Sequence, residues 1–274
     1  MKLKIKENKV LIWDLITLFV IIAVLIASPS KKIFQSEEIS ELAIYIDNNE
    51  DTDEKGEITE RDILEEFFLK YDDTIKFLSK TFQIDYEVFL SLLKENYIHL
   101  ELLDTDRVEY NLISYLFTLN DTDSSLFNKN RRVEEANKDY TIALIKYFTN
   151  IYTDVDFALA VSIVEVESGF RASSMVNANN LFGGLTSNHN LITYRTPEYG
   201  ILSYIKLLND SYYGIGLNTV ESIGRKYNPV YTNGVKVASP TWVANVSSAI
   251  PKYSDYSVLV DASMLLNFEK LTVK

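Results

Sequence analysis

Apolar residues recur at helical spacing through the first half of the chain, and the turns between these stretches are rich in Asp, Asn and Thr. This pattern predicts a helical unit over residues 34 to 120. The Asp- and Ser-rich segment 121 to 132 is the best linker candidate, and it would separate the helical unit from a second domain at residues 133 to 274, which opens with a helix predicted over residues 133 to 148.

A different pattern occupies the N-terminus. Residues 1 to 9 are basic, and residues 10 to 28 are apolar except for Asp14, a length near the lower limit for crossing a bilayer. Ala27 and Ser28 each follow a large apolar residue two positions earlier, which is a poor cleavage site. We therefore expect residues 1 to 33 to be a cytoplasmic tail and an uncleaved membrane anchor rather than a cleaved signal peptide, with the rest of the chain on the extracellular face.

The sequence VDFALAVSIVEVESGF at 155 to 170 is apolar on every side of a helix, so it predicts a buried axis helix. Thr153 and Asp156 resemble a capping box at its start, and Gly169 suits the left-handed residue that ends a helix. Glu165 and Glu167 lie two positions apart and therefore point about 200° apart. Only one of them can face a given cleft, so we expect one to be catalytic and the other structural.

Glu167 is the candidate for chemistry. A carboxylate at the end of a buried helix loses hydration and faces the negative end of the helix dipole, and both effects raise its pKa towards the range that a general acid needs. A salt-bridge role is the competing interpretation, because buried ion pairs also perturb pKa values.

The residues that follow Glu167 read ESGFRASSMVNANNLFGGL, and this stretch resembles the peptidoglycan-cleaving branch of the lysozyme superfamily. The glucosaminidase family carries Glu-Ser-Gly-aromatic followed by Asn-Asn-Leu-Phe-Gly, and soluble lytic transglycosylases carry Glu-Ser-x-Phe before a Gly-rich run. Further likeness extends through YRTPEYGILSYIKLL at 194 to 208, IGRKYNP at 223 to 229 and PTWVANVSSAIPKY at 240 to 253. The resemblance covers about 140 residues, roughly the C-terminal half.

The resemblance implies a lysozyme-like α+β catalytic domain that binds peptidoglycan glycan strands and needs no cofactor. It implies that Glu167 protonates the leaving oxygen of a β-1,4 glycosidic bond and that Tyr227 assists beside it, by hydrogen-bonding the sugar or stabilising charge. Phe182 would offer an apolar face to a saccharide, although a core position fits it equally well. The implied substrate-binding residues are Ser168, Asn180, Phe182, Gly183, Asn228 and Trp242.

A second catalytic carboxylate is not evident. Glu198 is the only acidic residue between Gly183 and Gly200, and its context, Thr196-Pro197-Glu198, is typical of a helix start. We interpret Glu198 as a helix-start residue. The resemblance then favours a single-acid mechanism in which the substrate's own N-acetyl group or 6-hydroxyl is the nucleophile.

Charge limits the partners and metals. The whole chain carries −12, and residues 1 to 32 carry +4 from six Lys and two acidic residues, so the remainder carries −16. Such an acidic region does not favour nucleic acid or anionic wall polymers, which leaves the membrane anchor to hold the protein near the wall. The segment 51 to 62 imitates a calcium loop, but Lys55 occupies a ligand position, so we predict no metal site.

The sequence thus predicts a mainly α protein with an N-terminal transmembrane helix, a helical spacer domain that sets reach or docks a protein partner, and a lysozyme-like domain. The favoured activity is an endo-β-N-acetylglucosaminidase. A lytic transglycosylase or muramidase is the close alternative. The non-enzymatic alternative is a wall-binding or secretion-assembly component.

Overall fold

A computed structural model of the chain describes residues 60–97, 100, 107–128, 131 and 136–271. The chain divides into two compact units, Met1–Ile58 and Thr59–Lys274, and the described residues all belong to the second unit. This unit is mainly helical, as predicted.

The described residues form eleven α-helices and one two-stranded antiparallel sheet. The helices are α1 (Glu60–Lys70), α2 (Asp72–Phe82), α3 (Tyr86–Asn96), α4 (Val108–Thr122), α5 (Lys138–Ile151), α6 (Phe157–Ser168), α7 (Ser173–Asn177), α8 (Pro197–Ser211), α9 (Val220–Tyr227), α10 (Pro240–Ala249) and α11 (Ala262–Leu271). The strands are β1 (Pro229–Thr232) and β2 (Val235–Ala238), paired so that Pro229 faces Ala238 and Thr232 faces Val235.

Helix α6 is the buried axis that its composition predicts. Residues Ala160, Val161, Ser162, Ile163 and Val164 are all fully buried, and α5 and α10 pack against it. Burying one large apolar side chain contributes about 1.5–3 kcal/mol, which far exceeds any intrinsic helix preference of these β-branched residues.

The prediction for the start of α6 is wrong, and the prediction for its end is confirmed. The cap at the start is Asp156, whose Oδ1 accepts from the Leu159 amide at 2.6 Å, so the Thr153 capping box is wrong. Asp156 suits the position because its short side chain returns to the first free amides of the helix. Gly169 ends the helix with φ of 55°, as predicted.

The N-terminal helices share the core of the C-terminal half. Helix α2 packs against α8 and α11, and its Phe77, Leu78 and Phe82 are fully buried within a hydrophobic cluster that continues through α5, α6 and α8. The predicted division at residues 121 to 132 therefore lies inside one compact unit.

The segment predicted as a linker makes specific contacts with the rest of this unit. Phe127 forms an isolated antiparallel bridge with Ile84, and the Arg131 amide donates to the carbonyl of Arg195 at 2.8 Å. Such contacts fix the chain to neighbouring elements, unlike a linker that spaces two domains.

The predicted membrane segment at residues 10 to 28 lies outside the described residues. Within the described part of the chain, no helix has both the length and the apolar composition to cross a bilayer.

Candidate active site around Glu167

Glu167 lies in the last turn of α6, partly buried, with its two carboxylate oxygens in different surroundings. The indole Nε1 of Trp242 on α10 donates to Oε1 at 2.8 Å. Loss of hydration raises the pKa of Glu167 above its ordinary 4.5, and the indole N–H opposes this rise because it stabilises the charged form. Within the described residues, no Lys, Arg or His forms an ion pair with Glu167.

The second oxygen of Glu167 faces Gly183. A Cβ placed on Gly183 would lie 3.2 Å from Oε2 and 3.3 Å from Cε of Met175, so a side chain here would crowd the carboxylate. Gly183 also has φ of 76°, a conformation that residues with a side chain adopt only at a cost. Both observations explain why glycine occupies this position beside the acid.

Asn180 holds the turn that carries Gly183. It is fully buried, and its Nδ2 donates to the carbonyls of Gly184 and Ile192 at 2.8 Å each. Its Oδ1 accepts from the Gly184 amide at 2.9 Å. These bonds use both polar atoms of the Asn180 side chain. Asn180 therefore supports the turn and does not offer the predicted contact to a substrate.

Phe182 and Ser168 are also core residues. The Phe182 ring is 1% exposed and stacks on Tyr204 with ring centroids 4.7 Å apart. A ring buried in this way occupies the core position, which is one of the two alternatives that the sequence leaves open for Phe182. Ser168 is buried, where its Oγ donates to the carbonyl of Val164 at 2.9 Å.

Tyr227 and Trp242 form a stacked pair beside Glu167. Their ring centroids are 5.4 Å apart, and the Tyr227 hydroxyl donates to the carbonyl of Phe182. Burial raises the pKa of Tyr227 well above 10, and the charge of Glu167 adds to this rise, so the hydroxyl stays neutral. The Trp242 ring is 4% exposed, so this residue meets the acid through its N–H and does not present a face to substrate.

Asn228 follows Tyr227 at the junction between α9 and the hairpin. Its amide donates to the carbonyl of Gly224 at 2.9 Å, and its carbonyl accepts from Ser239 at 3.0 Å. Its backbone therefore closes the base of the hairpin, next to the Tyr227–Trp242 pair, and the side chain is partly exposed.

Glu165 has the opposite environment from Glu167. Its Oε1 accepts from Lys252 Nζ at 2.9 Å and its Oε2 from the Tyr253 hydroxyl at 3.0 Å. Burial alone would raise the pKa of Glu165, but these two hydrogen bonds and the charge of Lys252 lower it below the ordinary value. The side chain is thus a paired anion that joins α6 to the segment after α10.

Glu198 is more than the helix-start residue that we predict from sequence. Thr196 does cap α8, accepting from the Tyr199 amide at 3.0 Å. Glu198, however, is 0% exposed, with Nη2 of Arg131 at 2.6 Å from both of its oxygens. The Tyr140 hydroxyl donates to it at 2.7 Å, and Lys80 Nζ lies 3.9 Å away.

Two features of the site region are not among the predictions from the sequence. The contact between Trp242 and Glu167 joins residues 75 positions apart, and no local pattern signals it. The hairpin that follows Tyr227 does have a local signal, because Asn233 and Gly234 form its turn with φ of 52° and 75°. An Asn-Gly pair between short alternating stretches is a strong hairpin signal.

Among the described residues, no cluster of three or more His, Cys, Asp or Glu side chains could hold a metal ion. No family model, no curated protein and no solved structure matches the chain.

Proposed function

We propose that the chain is a membrane-anchored peptidoglycan glycosidase that cleaves the β-1,4 glycan strand of the cell wall, with Glu167 as its general acid. The observation that carries the proposal is the environment of this carboxylate. It is withdrawn from water and has a raised pKa, yet it makes no ion pair among the described residues. Such a group can hold a proton and release it to a leaving oxygen.

The surrounding fold supports this assignment. A buried axis helix ends at the acid, a glycine-containing turn passes beside it, and the β1–β2 hairpin and α10 complete the neighbourhood. With the Glu-Ser-Gly-Phe and Asn-Asn-Leu-Phe-Gly segments at these places, the C-terminal half is proposed to be a lysozyme-like catalytic domain. The anchor at residues 10 to 28 belongs to the same proposal.

The chemistry that fits is a single-acid mechanism. Glycosidases of the usual kind place a second carboxylate about 5–10 Å from the acid. Among the described residues, Glu165 is bound to Lys252 and Tyr253 and Glu198 to Arg131 and Tyr140, so both carboxylates are occupied. The nucleophile therefore comes from the substrate, as the N-acetyl oxygen or the 6-hydroxyl of the sugar whose bond is cleaved.

In this mechanism Glu167 donates a proton in the first step and takes one back in the last step. Glu167 transfers its proton to the glycosidic oxygen as the bond from that oxygen to C1 breaks, and the N-acetyl oxygen attacks C1. Water then opens the cyclic intermediate, and its second proton returns to the Glu167 carboxylate. If the 6-hydroxyl attacks instead, it gives its own proton to Glu167 and the product is an anhydro sugar.

The favoured product is a glycan fragment with a reducing N-acetylglucosamine end, which corresponds to an endo-β-N-acetylglucosaminidase. Mass spectrometry of fragments released from purified wall by the full-length chain tests this. Reducing N-acetylmuramic acid ends would indicate a muramidase, and anhydro-muramic ends a lytic transglycosylase. A folded chain that binds the wall but releases no glycan fragment would overturn the enzymatic proposal and favour a wall-binding or assembly component.

A further inference from the structure

The hydrogen bond between Trp242 and Glu167 distinguishes the two oxygens of the carboxylate. An indole N–H can only donate, so the oxygen that it contacts must accept. That oxygen is Oε1, at 2.8 Å from Nε1. A protonated carboxyl accepts a hydrogen bond best through its carbonyl oxygen, so when Glu167 takes up a proton and keeps this bond, the proton is favoured on Oε2.

The position of Oε2 is the one that a reacting group can approach. It faces Gly183, where the missing side chain leaves space that a Cβ would fill at 3.2 Å from the oxygen. Gly183 is itself partly exposed, in contrast to the buried Trp242 on the other side of the carboxylate. The proton therefore lies on the side of Glu167 that is open.

The indole is held rigidly enough to impose this choice. Its ring stacks on Tyr227, whose hydroxyl is bound to the carbonyl of Phe182. On its other edge, a Cβ on Gly224 would lie 3.1 Å from the indole Cζ3, so helix α9 approaches the ring closely. A fixed donor defines the orientation of the carboxylate better than a mobile one, because no rotamer freedom remains to be lost at each turnover.

We propose that Trp242 is a positioning residue that assigns the acidic proton of Glu167 to Oε2 and turns that oxygen towards the glycosidic bond. The inference rests on the proposed function, since it concerns the same acid. It replaces the substrate-binding role that the sequence suggests for Trp242, because the ring is too buried for a sugar to stack on it.

The charge of Glu167 adds to the pKa of two tyrosines, and neither titrates in the acid range. Tyr204 on α8 is buried and Tyr227 on α9 is partly buried, and loss of hydration raises the pKa of each well above 10. Glu165 is the other carboxylate at this end of α6, and although burial raises its pKa, Lys252 and Tyr253 lower it below the ordinary value, whereas the pKa of Glu167 is raised. Removing the indole N–H takes away the group that stabilises the carboxylate, so the pKa of Glu167 should rise further.

The test compares Trp242→Phe with a substitution of Trp242 by β-(3-benzothienyl)alanine, which keeps the ring outline and replaces N–H by sulfur. Both are made in the full-length chain and assayed on purified wall across pH. We expect kcat to fall about 10–100-fold in each, because misplacing a reacting group by about 1 Å costs up to that much. KM should change less than kcat, and the alkaline limb of the pH profile should move to higher pH.

An independent readout separates this inference from the proposed function. The chain has two tryptophans, so in a Trp13→Phe background the emission of Trp242 reports on its own surroundings. The emission should change with pH at the pKa of Glu167, and Glu167→Gln should remove that change. This result without wall cleavage would support the contact and reject the function. Wall cleavage that depends on Glu167 but keeps its kcat and pH profile in the benzothienyl variant would overturn the positioning role.

Discussion

Glu167 and Glu198 are both carboxylates withdrawn from water, but the groups around them differ. Glu198 is fully buried. It accepts hydrogen bonds from Arg131 and the Tyr140 hydroxyl, and Lys80 Nζ lies 3.9 Å away. Glu167 is partly buried and receives one neutral N–H on one oxygen. A cavity of about 210 Å³ borders Glu198, so a neighbouring cavity does not by itself identify the acid.

The two carboxylates differ more in their partners than in their loss of water. Arg131, Lys80 and the Tyr140 hydroxyl lie against Glu198, so its carboxylate is committed to ion pairs and hydrogen bonds within the fold. An acid that has lost water without gaining a cation holds its proton to higher pH. We therefore expect Glu198 to contribute to stability, and this difference supports the proposal that Glu167 is the general acid.

Removing helices α1 to α4 should have the largest effect on stability. It should act through the residues around Glu198, which these helices contact. A chain that begins at Arg131 loses Lys80 and the carbonyls of Thr81 and Phe82, which accept from Thr196 at 2.7 Å and Arg195 at 2.6 Å. It also exposes the core face that α2 covers. We expect no cooperative thermal transition by circular dichroism. A helical chain that unfolds cooperatively would show that the C-terminal half folds without the helical unit predicted over residues 34 to 120.

Glu198→Gln should be the most damaging single change to stability. It removes the negative charge that Arg131 and Lys80 contact at a fully buried position, and a hydrogen bond to a charged group contributes about 1.5–3 kcal/mol. Urea unfolding of the full-length chain measures this as a lower midpoint. The matched control is Glu65→Gln, since Glu65 pairs with Arg61 at the surface and exposed pairs contribute about 0–1 kcal/mol. Equal losses in the two variants would contradict the structural role of Glu198.

Some of this contrast is predictable from the sequence, and some is not. The axis helix and its end at Gly169 follow from composition, as does the cap at Thr196, because these signals are local. The partner sets are not local: Arg131 lies 67 positions from Glu198. For this reason the sequence leaves the role of Phe182 open and shows only the helix-start position of Glu198, since a ring or a carboxylate in a turn-like sequence carries no sign of what will cover it.

Gly183→Ala should impair the acid with a smaller cost in stability. The left-handed backbone costs about 1–2 kcal/mol for a residue with a Cβ, and the new methyl would press on Oε2 of Glu167. We expect wall digestion to fall about tenfold or more. Gly216→Ala is the control, because Gly216 has φ of 82° but open space around its Cβ position. If both variants digest the wall equally well, the space beside Oε2 is not needed.

The smallest expected effect is the change in Tm caused by substituting Glu167 or Glu165, which lie on the same helix. The raised pKa of Glu167 means that the native state binds its proton more tightly than the unfolded chain does, so ionisation destabilises the fold as pH rises through that pKa. Glu167→Gln should therefore raise Tm slightly at pH 7 and have no such effect below the unfolded-state pKa of about 4.

Glu165→Gln should act in the opposite direction. Burial opposes the shift, but Lys252 and Tyr253 lower the pKa of Glu165, so its ionised form stabilises the fold above the unfolded-state pKa. The substitution should lower Tm at pH 7, and the difference should disappear as pH falls through the folded-state pKa. Thermal scans at several pH values check both variants, and shifts of the same sign would contradict the distinct roles of the two side chains.

The most direct test of the catalytic assignment is the rate at which the full-length Glu167→Gln variant digests purified wall, compared with the wild-type chain and with Glu165→Gln. Gln keeps the size of the side chain and an oxygen for Trp242, but it cannot deliver a proton, and general acid catalysis contributes about 10²–10⁴ in rate. We predict a loss of that size for Glu167→Gln, with no decrease in Tm, and a far smaller loss for Glu165→Gln. A folded Glu167→Gln variant that digests wall at the wild-type rate would contradict the account.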